Sequence, residues 1–242
     1  MNAGFDRYAE TYGDEVERSI SFVRQTHAFF TEAKIRLLLA LARRYVGALA
    51  DICALDVGCG VGETDAGLAL HIKELHGVDI ASAAVERAAK ENAAVEYQSY
   101  DGRHLPFDDG RFDLVFTICV LHHVPPGQWR AFAAEMARVT RRRGLVVVME
   151  HNPWNPLTRL AVTRCRFDDD AVLLRRRETV DLLAASGLDV LESQYFLFLP
   201  WALPGLNAIE TGLRRLPLGA QYLAAARKST ETEPSSSSHA GA

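Results

Sequence analysis

Three glycines at alternate positions, Gly58, Gly60 and Gly62, lie in the stretch Leu55-Asp56-Val57-Gly58-Cys59-Gly60-Val61-Gly62-Glu63. They remove side chains just where an apolar run ends, so a ligand can rest against the backbone there. Asp79 closes the next apolar run about twenty residues later, where a doubly wound fold places the acid that receives ribose hydroxyls. Asp101-Gly102 follows a third run. Carboxylates accept the hydrogen bonds that diols and ammonium groups donate, so this set suits a nucleoside-bearing ligand with an amino group. A plainer reading makes the glycines a tight turn, Asp79 a helix cap and Asp101 a turn residue. A dinucleotide fits less well. Its fingerprint is Gly-x-Gly-x-x-Gly, and here Glu63 follows the glycines at once, an acid where a diphosphate would lie.

A second group can move protons. His122 and His123 follow the fourth apolar run, and Glu150-His151 follows the fifth, so all lie at the mouth where carboxyl-end loops of a parallel sheet meet a ligand. An acid–base role falls on His123 or His151, with His122 turned toward the cofactor side. The competing reading makes Glu150 and His151 part of a cap or loop network with Asn152 and Asn155. No metal is expected: adjacent His122 and His123 should diverge as in a strand, and neither His104 nor His151 has an acidic pair at clear spacing.

These residues need a scaffold, and the pattern supplies one. Ile52–Val57, Leu75–Val78, Val95–Tyr97, Phe112–Thr117 and Leu145–Met149 read as strands, alternating with helices at Glu63–Leu70, Ser82–Glu91 and Gly127–Val139. Such alternation implies right-handed crossovers and a mostly parallel sheet covered on both faces. Asp14–Val46 reads as two helices, the second capped by Thr31. After Glu150 comes a lid-like segment, then helix Arg177–Ala185 with Gly187 as C-cap, strand Leu191–Leu199, and a last strand, Gln221–Ala226, whose direction stays open. The expected organisation is a helical cap over residues 1–46, one α/β domain over 47–228 with acceptor-side insertions at 151–176 and 200–217, and a disordered tail over 229–242.

Composition narrows the partners. The 242 residues are 48% hydrophobic and 24% charged, enough for one packed core, and the net charge of −4 gives no field to hold a polyanion. Nucleic acid is therefore not the expected partner, and Arg141–Arg143 and Arg175–Arg177 read as solvated faces. No apolar stretch reaches membrane-spanning length, and the N-terminus does not read as a secretory signal. Cys53, Cys59, Cys119 and Cys165 are scattered, which fits a reducing, cytoplasmic setting.

Taken together, the motifs resemble the class I S-adenosylmethionine-dependent methyltransferases, especially the small-molecule branch similar to quinone-biosynthesis enzymes. Leu55–Glu63 carries the first motif, Gly77-Val78-Asp79 the ribose acid and Tyr100-Asp101-Gly102 the adenine-side motif. Leu105-Pro106-Phe107, Phe112-Asp113-Leu114-Val115 and Leu121-His122-His123-Val124 match the segment around the fourth strand. The resemblance implies a Rossmann-like fold with a seven-stranded, mostly parallel sheet, and S-adenosylmethionine as cofactor. Its methionine part would run beside Gly58, Cys59, Gly60 and Cys119, with Asp56 supporting the turn. Asp79 and Ile80 would take the ribose, and Asp101 with Gly102 the adenine. In that family the opening segment folds over the cofactor mouth, so Tyr8 and Tyr12, with Phe5, become acceptor-side candidates. Trp154, Arg159, Arg164 and Arg166 form a second wall, and Phe198 with Trp201 a third. They suggest a small, aromatic or anionic acceptor, with oxygen favoured as the methylated atom. Nitrogen or carbon methylation, an RNA or protein substrate, and a noncatalytic cofactor-binding subunit are the alternatives. A homodimer stays open.

Overall fold

The computed structural model describes residues 11–23, 25–198 and 212–229. Two helices, α1 (Tyr12–Ile20) and α2 (His27–Tyr45), precede the sheet. β1 (Cys53–Val57), α3 (Glu63–Leu68), β2 (Glu74–Asp79), α4 (Ser82–Glu91), β3 (Glu96–Ser99), β4 (Phe112–Ile118), α5 (Trp129–Val139) and β5 (Thr140–His151) follow. The chain continues through α6 (Pro156–Arg164), α7 (Arg176–Ala185), β6 (Leu188–Phe196) and β7 (Gln221–Lys228).

The seven strands pair in the order β3-β2-β1-β4-β5-β7-β6. β1 to β5 run parallel, while β7 lies antiparallel between β5 and β6. This is the Rossmann-like, mostly parallel seven-stranded fold of class I methyltransferases. The strand order reverses at β1 and β4, where a doubly wound sheet leaves its crevice at the carboxyl ends.

Alternation along the central strands explains the two covered faces. Leu114 and Phe116 of β4, with Leu145, Val147 and Met149 of β5, pack under Leu38, Leu41 and Ala42 of α2. Val115, Val146 and Val148 point the other way, onto Phe132 and Met136 of α5 and Leu183 of α7. A central strand buried on both faces must be apolar almost throughout, as β4 and the Leu145–Met149 part of β5 are.

Several boundaries differ from the expectation. The second helix is capped by Thr26, whose side chain accepts from the Phe29 amide, not by Thr31, which lies buried within α2. β5 begins five residues early, because Thr140 pairs with Phe112 before a register shift and carries the exposed Arg141–Arg143 into the sheet. β6 starts directly after Gly187, whose φ of +76° marks the left-handed helix exit that was anticipated. Phe5, Tyr8, Trp201, most of the 200–217 excursion and nearly all of the tail lie outside the described residues. Among the described residues, no helix is long and apolar enough to cross a membrane.

Candidate active site

A cavity of about 350 Å³ lies at the carboxyl edge of the sheet, roofed by α1, α2 and α6. The turn after β1 and the end of β2 form one half of its wall. β1 and β2 lie in parallel register, so Val57 and Val78 are partners and the turn after β1 lies beside the end of β2. Gly58 and Cys59 both donate their amides to the Val78 carbonyl, at 2.7 and 3.0 Å. The Asp79 carboxylate then accepts from the Gly60 amide at 2.9 Å and from the Ala81 amide at 2.9 Å. It is thus fixed at the cavity wall. Asp56, Gly58, Cys59, Gly60, Asp79, Ile80, Asp101, Gly102 and Cys119 all line the same space. Asp101 accepts from the amides of Arg103 and His104, which hold its carboxyl below the usual carboxylate range.

Beneath the turn, Asp56 and Asp65 are both buried. Desolvation and their mutual repulsion push Asp56 well above the ordinary carboxyl range, and desolvation pushes Asp65 up to about 7. The Tyr97 hydroxyl donates to Asp65 at 2.9 Å. The pair holds a proton near neutrality, which permits two buried acids side by side.

The acceptor half centres on three histidines that different elements bring together. Cys119 leaves β4 with φ +57°, a left-handed turn that favours glycine, and a tight turn over Leu121–His123 follows. The Trp129 indole N–H donates to the carbonyls of Leu121 and Val124, at 3.0 and 2.8 Å, and so pins this turn. Glu150, at the end of β5, accepts from the Val120 and Leu121 amides at 2.9 and 2.7 Å. Its other oxygen lies 2.7 Å from His122 Nδ1. On the far side, the segment after α6 is tied down by the Val172 amide, which donates to the His122 carbonyl at 2.8 Å. That tie brings Asp168 within 3.5 Å of His122 Nε2 and 3.3 Å of His123 Nε2. The His151 ring centre is 5.0 Å from that of His122.

Burial alone would lower His122, but the carboxylates of Glu150 and Asp168 outweigh it and raise its pKa well above the usual histidine value. Burial, reinforced by the His122 charge, lowers His123 to about 3 and His151 to about 4. His122 is therefore a poor proton acceptor, whereas His123 and His151 are neutral at physiological pH and can accept a hydrogen bond. The expectation that His122 and His123 diverge is overturned. In a tight turn rather than a strand their rings lie 4.0 Å apart, and both face Asp168.

Tyr12 reaches the cavity, stacked on Phe167 with ring centres 5.2 Å apart. Trp154 and Arg159 do not. Trp154 is 60% exposed beneath the Arg175 guanidinium, and Arg159 stands on the solvent side of α6, whose inner face presents Thr158, Ala161 and Val162. Arg164 and Arg166 turn to the N-terminal helices instead, over Phe22 and toward Glu15. The reason is amphipathicity, since a lid helix needs its apolar face on the cavity. Asn152 and Asn155 do form a cap and loop network, in which Asn155 Oδ1 accepts from the Leu157 and Thr158 amides and buried Asn152 donates to the Pro217 and Gly219 carbonyls, but Glu150 turns to His122 and His151 to Gln221 instead.

Two residues of this site were not read from the sequence. Lys34 is only 9% exposed and lines the cavity from α2. Its signal was available: Thr31, Lys34 and Leu38 fall on the buried stripe of one helix, where a lysine needs a reason. Asp168, 8% exposed, sits among charged neighbours in a loop, and nothing local distinguishes it.

Sheet order, glycine turn and ribose acid together define an S-adenosylmethionine-binding methyltransferase fold. Residues 55–148 match the family model of the methyltransferase domain, the segment running from β1 into β5. An uncharacterized methyltransferase of Synechocystis is 31% identical over 109 residues, covering 43% of this chain and 51% of that protein. A demethylmenaquinone methyltransferase of Beutenbergia cavernae is 33% identical over 108 residues, covering 44% of each. The matched segment thus spans about half the length of these relatives. Among solved structures, an S-adenosylmethionine-dependent methyltransferase of Thermotoga maritima superposes with a TM-score of 0.68 at 18% identity, covering 94% of this chain and 100% of that one.

Proposed function

We propose that this chain transfers a methyl group from S-adenosylmethionine to a small-molecule acceptor, with oxygen favoured over nitrogen or carbon as the accepting atom. The observation that carries the reading is the carboxylate of Asp79. It is locked by the Gly60 and Ala81 amides at the edge of a cavity that runs on without a break to His123 and His151. Donor and acceptor halves thus share one enclosed space, which an in-line displacement requires. In this reading the cofactor's amino-acid end lies toward Lys34 and Asp56, which line the cavity and complement its carboxylate and ammonium. Asp79 takes the ribose diol and Asp101 the adenine edge.

Methyl transfer discharges the sulfonium, so the protein's task is to align the two reactants, exclude water and receive a proton if the acceptor carries one. His151 is neutral and faces the cavity, so its ring can accept the hydrogen bond of an acceptor hydroxyl. Its weak basicity makes it an orienting group first. Apolar walls from Ile20, Phe22, Phe30 and Phe167 suit a compact, largely apolar acceptor.

Calorimetry with S-adenosylmethionine, followed by a panel of phenolic, carboxylate and amine acceptors, tests the proposal. The natural chain should bind the cofactor and methylate at least one oxygen acceptor. Asp79→Asn should weaken cofactor binding by about 10- to 100-fold, the value of hydrogen bonds to a charged group. Cofactor binding with no turnover on any acceptor would support a noncatalytic binding subunit instead. Failure to bind would overturn both.

A further inference from the structure

His122, His123 and Asp168 present their side-chain atoms to one point on the cavity wall. The Nε2 atoms of the two histidines lie 3.5 and 3.3 Å from a single oxygen, Asp168 Oδ1, and all three ligand atoms fall within 4.8 Å of one another. Metal–ligand lengths of about 2.0–2.1 Å place neighbouring ligands of a tetrahedral ion about 3.3–3.4 Å apart. The two measured edges match that figure. Asp168 Oδ1 is also buried, and its approaches to the two Nε2 atoms, at 3.5 and 3.3 Å, are longer and less well aligned than good hydrogen bonds. A buried carboxylate oxygen left this way is costly, and a cation at the point where the three atoms converge would remove the cost.

The surroundings complete the pattern. His122 Nδ1 is engaged by Glu150 at 2.7 Å, which fixes the ring and leaves Nε2 directed at Asp168. A carboxylate behind a histidine is the usual support of a metal-ligating imidazole. Glu150 is itself held by two backbone amides, so the support is rigid. Asp168 and Glu150 together balance a divalent charge when both imidazoles are neutral. With three protein ligands, one side remains open to the cavity, as in catalytic rather than structural sites.

We propose that His122, His123 and Asp168 form a binding site for a divalent transition metal of the zinc type, with its open position facing the acceptor. Loading expels the proton from His122 Nε2, since only the neutral nitrogen has a lone pair for the ion. In the methyl-transfer reading, on which this role rests, the ion would hold the acceptor's oxygen and favour its deprotonated form. A second cluster, Cys53, Glu74 and His76, lies at the opposite end of the sheet and differs in one respect. There the Arg111 guanidinium already stands 3.2 Å from His76 Nε2 and 3.5 Å from Glu74. A cation fills that site from within the chain.

Cobalt(II) is the probe, because its visible absorption reports coordination number without any acceptor present. Tag-free, chelator-treated protein should take up one Co²⁺ per chain with d–d bands of a low-coordinate site, and Zn²⁺ should bleach them. Asp168→Asn and His123→Gln should each abolish the bands, Glu150→Gln should weaken binding by about 10- to 100-fold, and Glu74→Gln should leave them unchanged. Cofactor binding by calorimetry certifies that each variant is folded, and keeps failure of the metal site distinct from failure of the methyltransferase reading. No stoichiometric Co²⁺ uptake by protein that still binds S-adenosylmethionine would overturn the proposal. So would uptake unaltered in both ligand variants. Asp168 would then be only the counter-charge of a His122 imidazolium.

Discussion

Gly58 and Gly60 are glycines for different reasons, and the difference can be measured. Both have left-handed backbone, φ +85° and +53°, where any other residue costs about 1–2 kcal/mol. A Cβ on Gly58 would also lie 2.4 Å from Val120 Cγ2, whereas one on Gly60 meets no atom within 4 Å and projects into open space at the cavity. Overpacking adds about 1–3 kcal/mol at the first site only. Gly58→Ala should therefore lower the melting temperature more than Gly60→Ala does, by about 2–4 °C for each further kcal/mol in a chain of this size. Gly60→Ala should instead show the larger loss of S-adenosylhomocysteine affinity relative to its loss of stability. Melting curves and calorimetry on both variants check this, and a greater thermal loss in Gly60→Ala would refute the assignment. That the glycine turn, Asp79 and Asp101 meet at one cavity was legible in the sequence because each sits at the end of its own strand. The turn after β1, Asp79 after β2 and Asp101 after β3 are placed by local chain order once the sheet is known. Lys34 and Asp168 carry no such address. Their positions depend on how α2 and the lid loop fold back over the sheet.

Among the elements, β1 to β4 and the crossover helices were read to within two residues, since alternation and helical spacing are strong signals there, whereas β5 begins five residues and β6 three residues before the expected start. The lid was harder. Its arginines suggested an anion-binding wall, yet α6 turns its small and apolar residues inward and leaves Arg159 in solvent. Charge along the chain says little about facing until the partner surface is known. What holds the lid's base is Asn152, which is fully buried and donates to the carbonyls of Pro217 and Gly219 at 3.0 and 2.7 Å. These bonds tie the exit of β5 to the entry of β7. Asn152→Ala would strand two carbonyl oxygens, at about 1–3 kcal/mol for each one left without a partner. Denaturant unfolding should therefore show a loss of about 2–5 kcal/mol, with Asn152→Asp recovering little because a carboxylate offers no donor to either carbonyl. A loss under 1 kcal/mol in Asn152→Ala would mean that the Asn152 side chain adds little to the join between β5 and β7.

At the scale of the whole molecule, the buried acids under the glycine turn make stability depend on pH in a direction opposite to that of an ordinary salt-bridged carboxylate. Asp65 has its pKa raised by burial to about 7, and Asp56 beside it is raised further by burial and by Asp65 itself. In the unfolded chain both ionise near the ordinary aspartate value of 3.8. Between roughly pH 4 and pH 7 the folded state therefore keeps protons that the unfolded state has released, and stability falls as pH rises through that window. The limiting slope is about 1.4 kcal/mol per pH unit for each proton retained. The buried histidines titrate over part of the same range, so the informative quantity is the difference between Asp65→Asn and the natural chain, in which their contributions cancel. Asn cannot ionise and keeps an oxygen to accept from Tyr97, so the variant loses little at pH 5. It should gain on the natural chain from pH 5 to about pH 7 and level off above that, as read from paired unfolding curves. A difference that stays flat, or that moves against the variant with rising pH, would show that Asp65 is ionised in the folded protein. The turn would then be supported by a charged carboxylate rather than by a shared proton. The same pair connects folding to the donor site: a cofactor ammonium drawn to Asp56 favours its charged form, so cofactor binding should release a proton. That release is measurable as a dependence of binding heat on buffer ionisation enthalpy. It should disappear in Asp56→Asn if the ammonium is what discharges the pair.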